Sequence, residues 1–160
     1  MIVLAFPSAK GAFEARKAFK QLHRESLTEL RDAVVVTRDA SGKVKLHQSE
    51  GVSASLTSAG SVLGLIVGVV FMVPGVGSAV GAGVGAAVGA ALDLGLDDKF
   101  LKDVGHTIQP ETSALFLLGS NVQLDRVRER LGTLLKGCTI LKTTVNTERE
   151  AEVRKLLDNL

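Results

Sequence analysis

Residues 51–92 contain no charged side chain and no histidine, an interruption of forty-two positions in a chain of 160. Inside it glycine recurs every fourth residue, at Gly60, Gly64 and Gly68 and again at Gly77, Gly81, Gly85 and Gly89. Pro74 and Gly75 separate the two series. Residues four apart stack on one helical face, one turn above another. Glycine inside a water-exposed helix costs roughly 1 kcal/mol against alanine, so two such stripes imply helices whose backbones touch. The pattern predicts a helical hairpin, turned at Pro74 and Gly75, packed through its glycine faces in a membrane or in the dry centre of an assembly.

All of the charge lies in the flanks, 1–50 and 93–160. The whole chain holds 19 Lys and Arg against 17 Asp and Glu, for a formal net of +2. A balance that small leaves no nucleic-acid footprint. There is no Trp and no Tyr, so the aromatic belts common at membrane interfaces are missing. The single cysteine, Cys138, excludes an internal disulfide and a multi-thiolate metal site within one chain. The apolar start reads as a strand, because no positive region precedes it and it is too short for a signal peptide.

The flanks carry alternating strand and helix patterns. Residues 2–6 are rich in β-formers and stop at Pro7, and Ser8 can cap a helix with Ala12, Ala15, Ala18, Phe19 and Leu22 on one face. Residues 30–37 read as a buried strand, 39–42 as a turn, and 43–47 alternate as a half-exposed strand closing a hairpin. After the uncharged segment, Asp97 is placed to cap a short helix with Phe100, Leu101, Val104 and Ile108 inward. Residues 113–118 read as a central strand. Asn121 caps a helix striped by Leu124, Val127, Leu131 and Leu134 and ended by Gly137, and residues 138–145 form a last strand. Thr147 and Glu150 have capping-box spacing for a terminal helix with Val153, Leu156, Leu157 and Leu160. The order is β-α-β, an extra hairpin strand, then β-α-β. It predicts an α+β, ferredoxin-like antiparallel sheet with helices on one face and the Gly/Ala hairpin inserted between the halves. Residues 1–50 supply the first half, 51–92 the hairpin and 93–160 the second half.

These residues also carry a resemblance. The run 94–105, Leu-Gly-Leu-Asp-Asp-Lys-Phe-Leu-Lys-Asp-Val-Gly, followed by Thr-Ser-Ala-Leu-Phe-Leu-Leu at 112–118, resembles the centre of a bacterial family known as domain of unknown function 1269. Asp-Ala-Val-Val-Val at 32–36 and Gly-Lys-Val-Lys-Leu at 42–46 resemble it as well. The resemblance covers nearly the whole chain. It implies the ferredoxin-like fold and a membrane protein, but no activity, cofactor or site.

Residues 51–72 are long enough to cross a hydrocarbon core of about 30 Å, which takes about 20 residues. Residues 75–92 are shorter and mostly Gly, Ala and Val, so they would insert as a unit with the first arm through small-residue faces. Lys43, Lys45, Lys99 and Lys102 fit a cytoplasmic placement of both flanks, diluted by Asp93, Asp97 and Asp98. The other readings are a soluble homo-oligomer with the hairpin between subunits, and an ordinary monomeric core.

Candidate chemistry is sparse. His23, His47 and His106 lack metal-ligand spacing, and each reads as an ordinary surface histidine. Cys138 reads as a small buried hydrophobe. Asp93, Asp97, Asp98 and Asp103 do not have EF-hand spacing, and capping explains the pair 97–98. Arg126, Arg128 and Arg130 interleave with Asp125 and Glu129 on a solvated face. No phosphate loop follows the glycines, and the flank strands hold only Phe6 and Phe116 as aromatics, which disfavours RNA binding. The expectation is a non-enzymatic, cofactor-free homo-oligomer associated with membrane lipid at the cytoplasmic membrane, with its polar domain facing the cytoplasm, acting as a scaffold, an envelope-stress component or a membrane recruiter of another complex, with no protein partner identified. The alternatives are a cytoplasmic shell or filament protein, a small pore, and a small-ligand sensor suggested by fold analogy alone.

Overall fold

The computed structural model describes residues 1–48, 63, 66, 70, 95–120 and 124–145. Within them the chain runs β1 (Ile2–Phe6), α1 (Gly11–Arg24), β2 (Glu29–Arg38), β3 (Val44–Gln48), α2 (Asp98–Thr107), β4 (Ser113–Ser120), α3 (Leu124–Leu131) and β5 (Thr139–Lys142). The strands form one 5-stranded antiparallel sheet in the order β3-β2-β4-β1-β5. The fold is α+β. Helix α1 joins two strands that run the same way, with β4 opposed between them. Helix α3 likewise joins β4 to β5, with β1 opposed between.

The turn between β2 and β3 forms as its residues dictate. The Asp39 carboxylate accepts from the Ser41 and Lys43 amides and from the Ser41 hydroxyl, while Gly42 takes φ +83°, a conformation glycine adopts without strain. The Ser41 hydroxyl bond is the main reason the Asp39 carboxyl titrates below its ordinary range. Helix α1 is capped partly from a distance. Ser8 Oγ accepts from Gly11 N, and Ser113 Oγ, brought in by β4, accepts from Ala12 N. The Ser113 hydroxyl in turn donates to the Ser8 carbonyl, so one buried side chain satisfies both the helix start and its entry loop.

Strand β4 has no solvent side. Leu115 and Leu117 join Leu4, Phe6, Ala33 and Val35 under Ala12, Ala15, Phe19 and Leu22 of α1, with Val127 and Leu131 of α3. Ala114, Phe116 and Leu118 join Val3, Ala5, Val34 and Val36 on the opposite face, under Phe100, Leu101 and Val104 of α2 and Ile108 just beyond it. The expectation of helices on one face is therefore corrected: the sheet is covered on both. Continuously apolar strands require this, because each pleat exposes an apolar row to each side. Leu63, Ile66 and Val70 are helical, 0% exposed, and belong to the same second core. Their i, i+3, i+7 spacing places them on one helical face. The first part of the uncharged segment thus contributes side chains to the core of the sheet domain.

Two boundaries differ from the sequence pattern. Helix α3 ends at Leu131 rather than Gly137. The chain turns at Gly132, where a Cβ would stand 2.7 Å from the Arg128 carbonyl oxygen, and residues 132–137 continue as turns to Gly137 at φ +79°. Strand β5 is correspondingly short. The glycine series (Gly60, Gly64, Gly68, Gly77, Gly81, Gly85, Gly89), the turn at Pro74 and Gly75, the Asn121 cap and the terminal helix lie outside the described residues.

Fully burying one aliphatic side chain is worth about 1.5–3 kcal/mol, and truncation adds a cavity term. Ile66→Ala should therefore lower unfolding free energy by about 2–4 kcal/mol in a denaturant titration. A loss below about 0.5 kcal/mol would mean that this helix does not pack on the sheet.

Candidate functional site

A cavity of about 460 Å³ opens at the end of the sheet where β1 begins and β4 finishes. Met1, Leu118 and Val145, which also touch the second core, give it an apolar wall. Its polar rim is Arg31, Ser120, Thr143 and Thr144. Met1 N donates to the Thr143 carbonyl at 2.7 Å and Thr143 N to the Met1 carbonyl at 3.1 Å, which extends the β1–β5 pairing along one wall. Half-burial lowers the pKa of the Met1 amine by desolvation. The Ser120 hydroxyl donates to Glu29 Oε2 at 2.7 Å on the other wall.

A break in the β2–β4 ladder positions Arg31. Leu30 pairs with Gly119 and Asp32 with Leu118, leaving Arg31 as the extra residue of a bulge. Leu30 and Ala33 both reach the α1 core although they are three residues apart, which strict alternation forbids. The extra residue absorbs the mismatch and puts Arg31 at the cavity, among side chains of the opposite face. Gly119 permits this close approach, since a Cβ there would sit 2.3 Å from the Glu29 carbonyl oxygen. Sequence reading missed both Arg31 and the cavity. The available signal was a charged residue interrupting an apolar pattern at 30–33, which reads equally as the ordinary start of a strand.

A second cluster fastens the outer strand β3. Arg16 Nη1 donates to the His47 carbonyl at 2.8 Å, and Arg16 Cζ lies 5.4 Å from the Phe13 ring centroid. The His47 ring stands edge-on to Phe13 at 4.9 Å, and its Nε2 is 2.9 Å from Thr37 Oγ1. Burial lowers the pKa of the Arg16 guanidinium. These contacts occupy polar groups of an edge strand that Lys43 and Lys45 already protect by charge.

The other residues singled out by sequence are dispersed. His23 Nδ1 lies 2.9 Å from the Thr28 carbonyl oxygen and 3.3 Å from Leu30 N, tying the end of α1 to β2. His106 is exposed at the end of α2. Asp97 Oδ1 caps α2 by accepting from Phe100 N at 2.6 Å. Asp103 pairs with Lys99 along the same helix, raising the Lys99 pKa chiefly through that hydrogen bond. Arg130 reaches Glu25 at 3.0 Å, and Arg126 and Arg128 are exposed. Among the described residues, no three His, Cys, Asp or Glu side chains gather in a way that could hold a metal ion. No helix among them is long and apolar enough to cross a membrane.

Cys138 is half-buried, and desolvation raises its pKa to about 11. The thiolate is the reactive form. Alkylation by iodoacetamide at pH 8 should thus run about a hundredfold slower than for an unstructured cysteine, whose thiol titrates near 8.5. Equal rates would show that the thiol is solvated. Asp97→Ala should cost about 1 kcal/mol by loss of the cap, read as a lower denaturation midpoint, while Asp97→Asn should restore most of it.

No curated protein and no solved structure matches this chain. Residues 57–158 match the family model described as "Protein of unknown function (DUF1269)". That match takes in the glycine series, α2, β4, α3 and β5, well over half of the chain, and the chain belongs to this family.

Proposed function

We propose that this protein is a non-enzymatic, homo-oligomeric assembly scaffold whose ferredoxin-like domain holds a glycine-rich helical hairpin ready for helix–helix contact. The ferredoxin-like reading is supported by the order β5-β1-β4-β2 with two interleaved βαβ crossovers, β3 being an added edge strand. The observation that carries the functional reading is the burial of Leu63, Ile66 and Val70 in the sheet core. An ideal helix drawn through these three carries Gly60, Gly64 and Gly68 on a stripe about 130° round from them, at 3.6 residues per turn. The three large side chains anchor the segment at their own positions, and the glycine spacing suits contact with another helix. The second series, from Gly77 to Gly89, supplies a matching face within the hairpin or from a neighbouring subunit.

Two settings suit this scaffold. The length of the uncharged segment suits a membrane-associated one, in which the hairpin embeds while the sheet domain faces the cytoplasm. A soluble assembly with the hairpin between subunits is favoured by the same three buried side chains, because a face packed on a protein sheet is not available to lipid. Carbonate extraction of a membrane fraction separates the two: retention in the pellet supports embedding, and release supports the assembly.

Gly64→Leu and Gly81→Leu put four-carbon side chains where close backbone approach is required. Each should reduce the native mass to that of smaller species while far-ultraviolet circular dichroism stays unchanged. An unaltered native mass in both variants would overturn the scaffold reading.

A further inference from the structure

We propose that the cavity at the end of the sheet is a binding site for a small molecule bearing an oxyanion, a carboxylate or a phosphate, held on Arg31. The proposal stands apart from the assembly reading and does not depend on the hairpin. At about 460 Å³ the cavity falls within the range of small-molecule sites. Its lining pairs an apolar wall, formed by Leu118 and Val145, with a polar rim, as such sites do.

Three features set the sign of the ligand. Arg31 brings a guanidinium whose planar fork matches a carboxylate or phosphate, and no carboxylate side chain is among the lining residues described. The acids nearest on β2 are Asp32, next to Arg31, whose Oδ1 accepts from Ala33 N, and Glu29, one of whose carboxylate oxygens is engaged by the Ser120 hydroxyl. Thr144 adds a hydroxyl to the rim.

The bulge that lets Leu30 and Ala33 both reach the α1 core also places Arg31 at the cavity. Regular pairing through Leu30 and Asp32 would be the simplest ladder, yet the strand inserts an extra residue there. The close approach that results admits only glycine at 119. Bulges recur beside binding sites because they re-aim one side chain without disturbing the rest of the strand. Here the side chain re-aimed is the cation. Arg31 also keeps an interaction within the protein, and an incoming oxyanion joins that arrangement.

The test is a titration of the isotope-labelled full chain with inorganic phosphate and, separately, with acetate, each against sodium chloride at matched ionic strength. Amide resonances of Gly119, Ser120, Thr143 and Thr144 should shift saturably with at least one of the two oxyanions and not with chloride. Saturation by phosphate alone, by acetate alone or by both identifies which oxyanion the site takes. Arg31→Gln should weaken the response about tenfold or more, as loss of one charge-assisted pair requires. Arg31→Lys, which keeps the charge but loses the fork, should fall between. Resonances of the β1–β4 pairs report whether a variant is folded, and if Arg31→Gln is not, Arg31→Lys carries the comparison. Shifts that do not saturate, shifts matched by chloride, or an unchanged midpoint in the folded variant would each overturn the proposal.

Discussion

Because residues 114–118 are buried on alternating faces of β4, the sheet has to be covered twice. The side bearing Leu115 and Leu117 is closed by α1 and α3, the helices of the two crossovers. The side bearing Ala114, Phe116 and Leu118 has no crossover helix available to it. It is closed instead by α2 and by Leu63, Ile66 and Val70 from the uncharged segment. An antiparallel sheet could have left that face wet with polar side chains. Val3, Val34, Val36 and Phe116 commit it to being dry, and so commit the inserted segment to the sheet.

This commitment changes what the glycine-rich segment can do. An uncharged run of that length reads first as a free membrane hairpin. Three of its large apolar residues are nevertheless used as core, at about 1.5–3 kcal/mol each. The segment is thereby tied to the sheet domain at these three positions. Small-residue faces gain little from water-driven burial and depend on close van der Waals fit.

The central strands, the first helix face, the Asp39–Gly42 turn and the Asp97 cap were legible in the sequence because each depends on local chemistry. Alternation, a 3.6-residue stripe, a side-chain acceptor and a positive-φ glycine act within a few residues. What could not be read depends on distant partners. Ser113 caps α1 from the other half of the chain. The second covered face follows from three residues in a segment where Leu65, Val67 and Val69 are equally apolar, so periodicity alone could not choose the buried side. The bulge at Arg31 depends on a register set by β4. The early end of α3 was partly visible, since Gly132 interrupts a pattern that Leu134 continues only by spacing.

The distribution of polar chemistry follows from the same double cover. With both faces of β1, β2 and β4 filled mainly by apolar side chains, the polar groups described on the sheet stand at strand ends and outer edges. Ser113 occupies one end of β4 and is consumed in capping α1. The edge at β3 is occupied by Arg16, Phe13 and His47, which hold it closed. The other end of β4 differs, because there a bulge and an obligatory glycine carry a cation to the mouth of a cavity. Leu118 belongs both to the cavity wall and to the core beneath it. That part of the wall is therefore held by the core, with Met1 and Val145 packed half-buried against it.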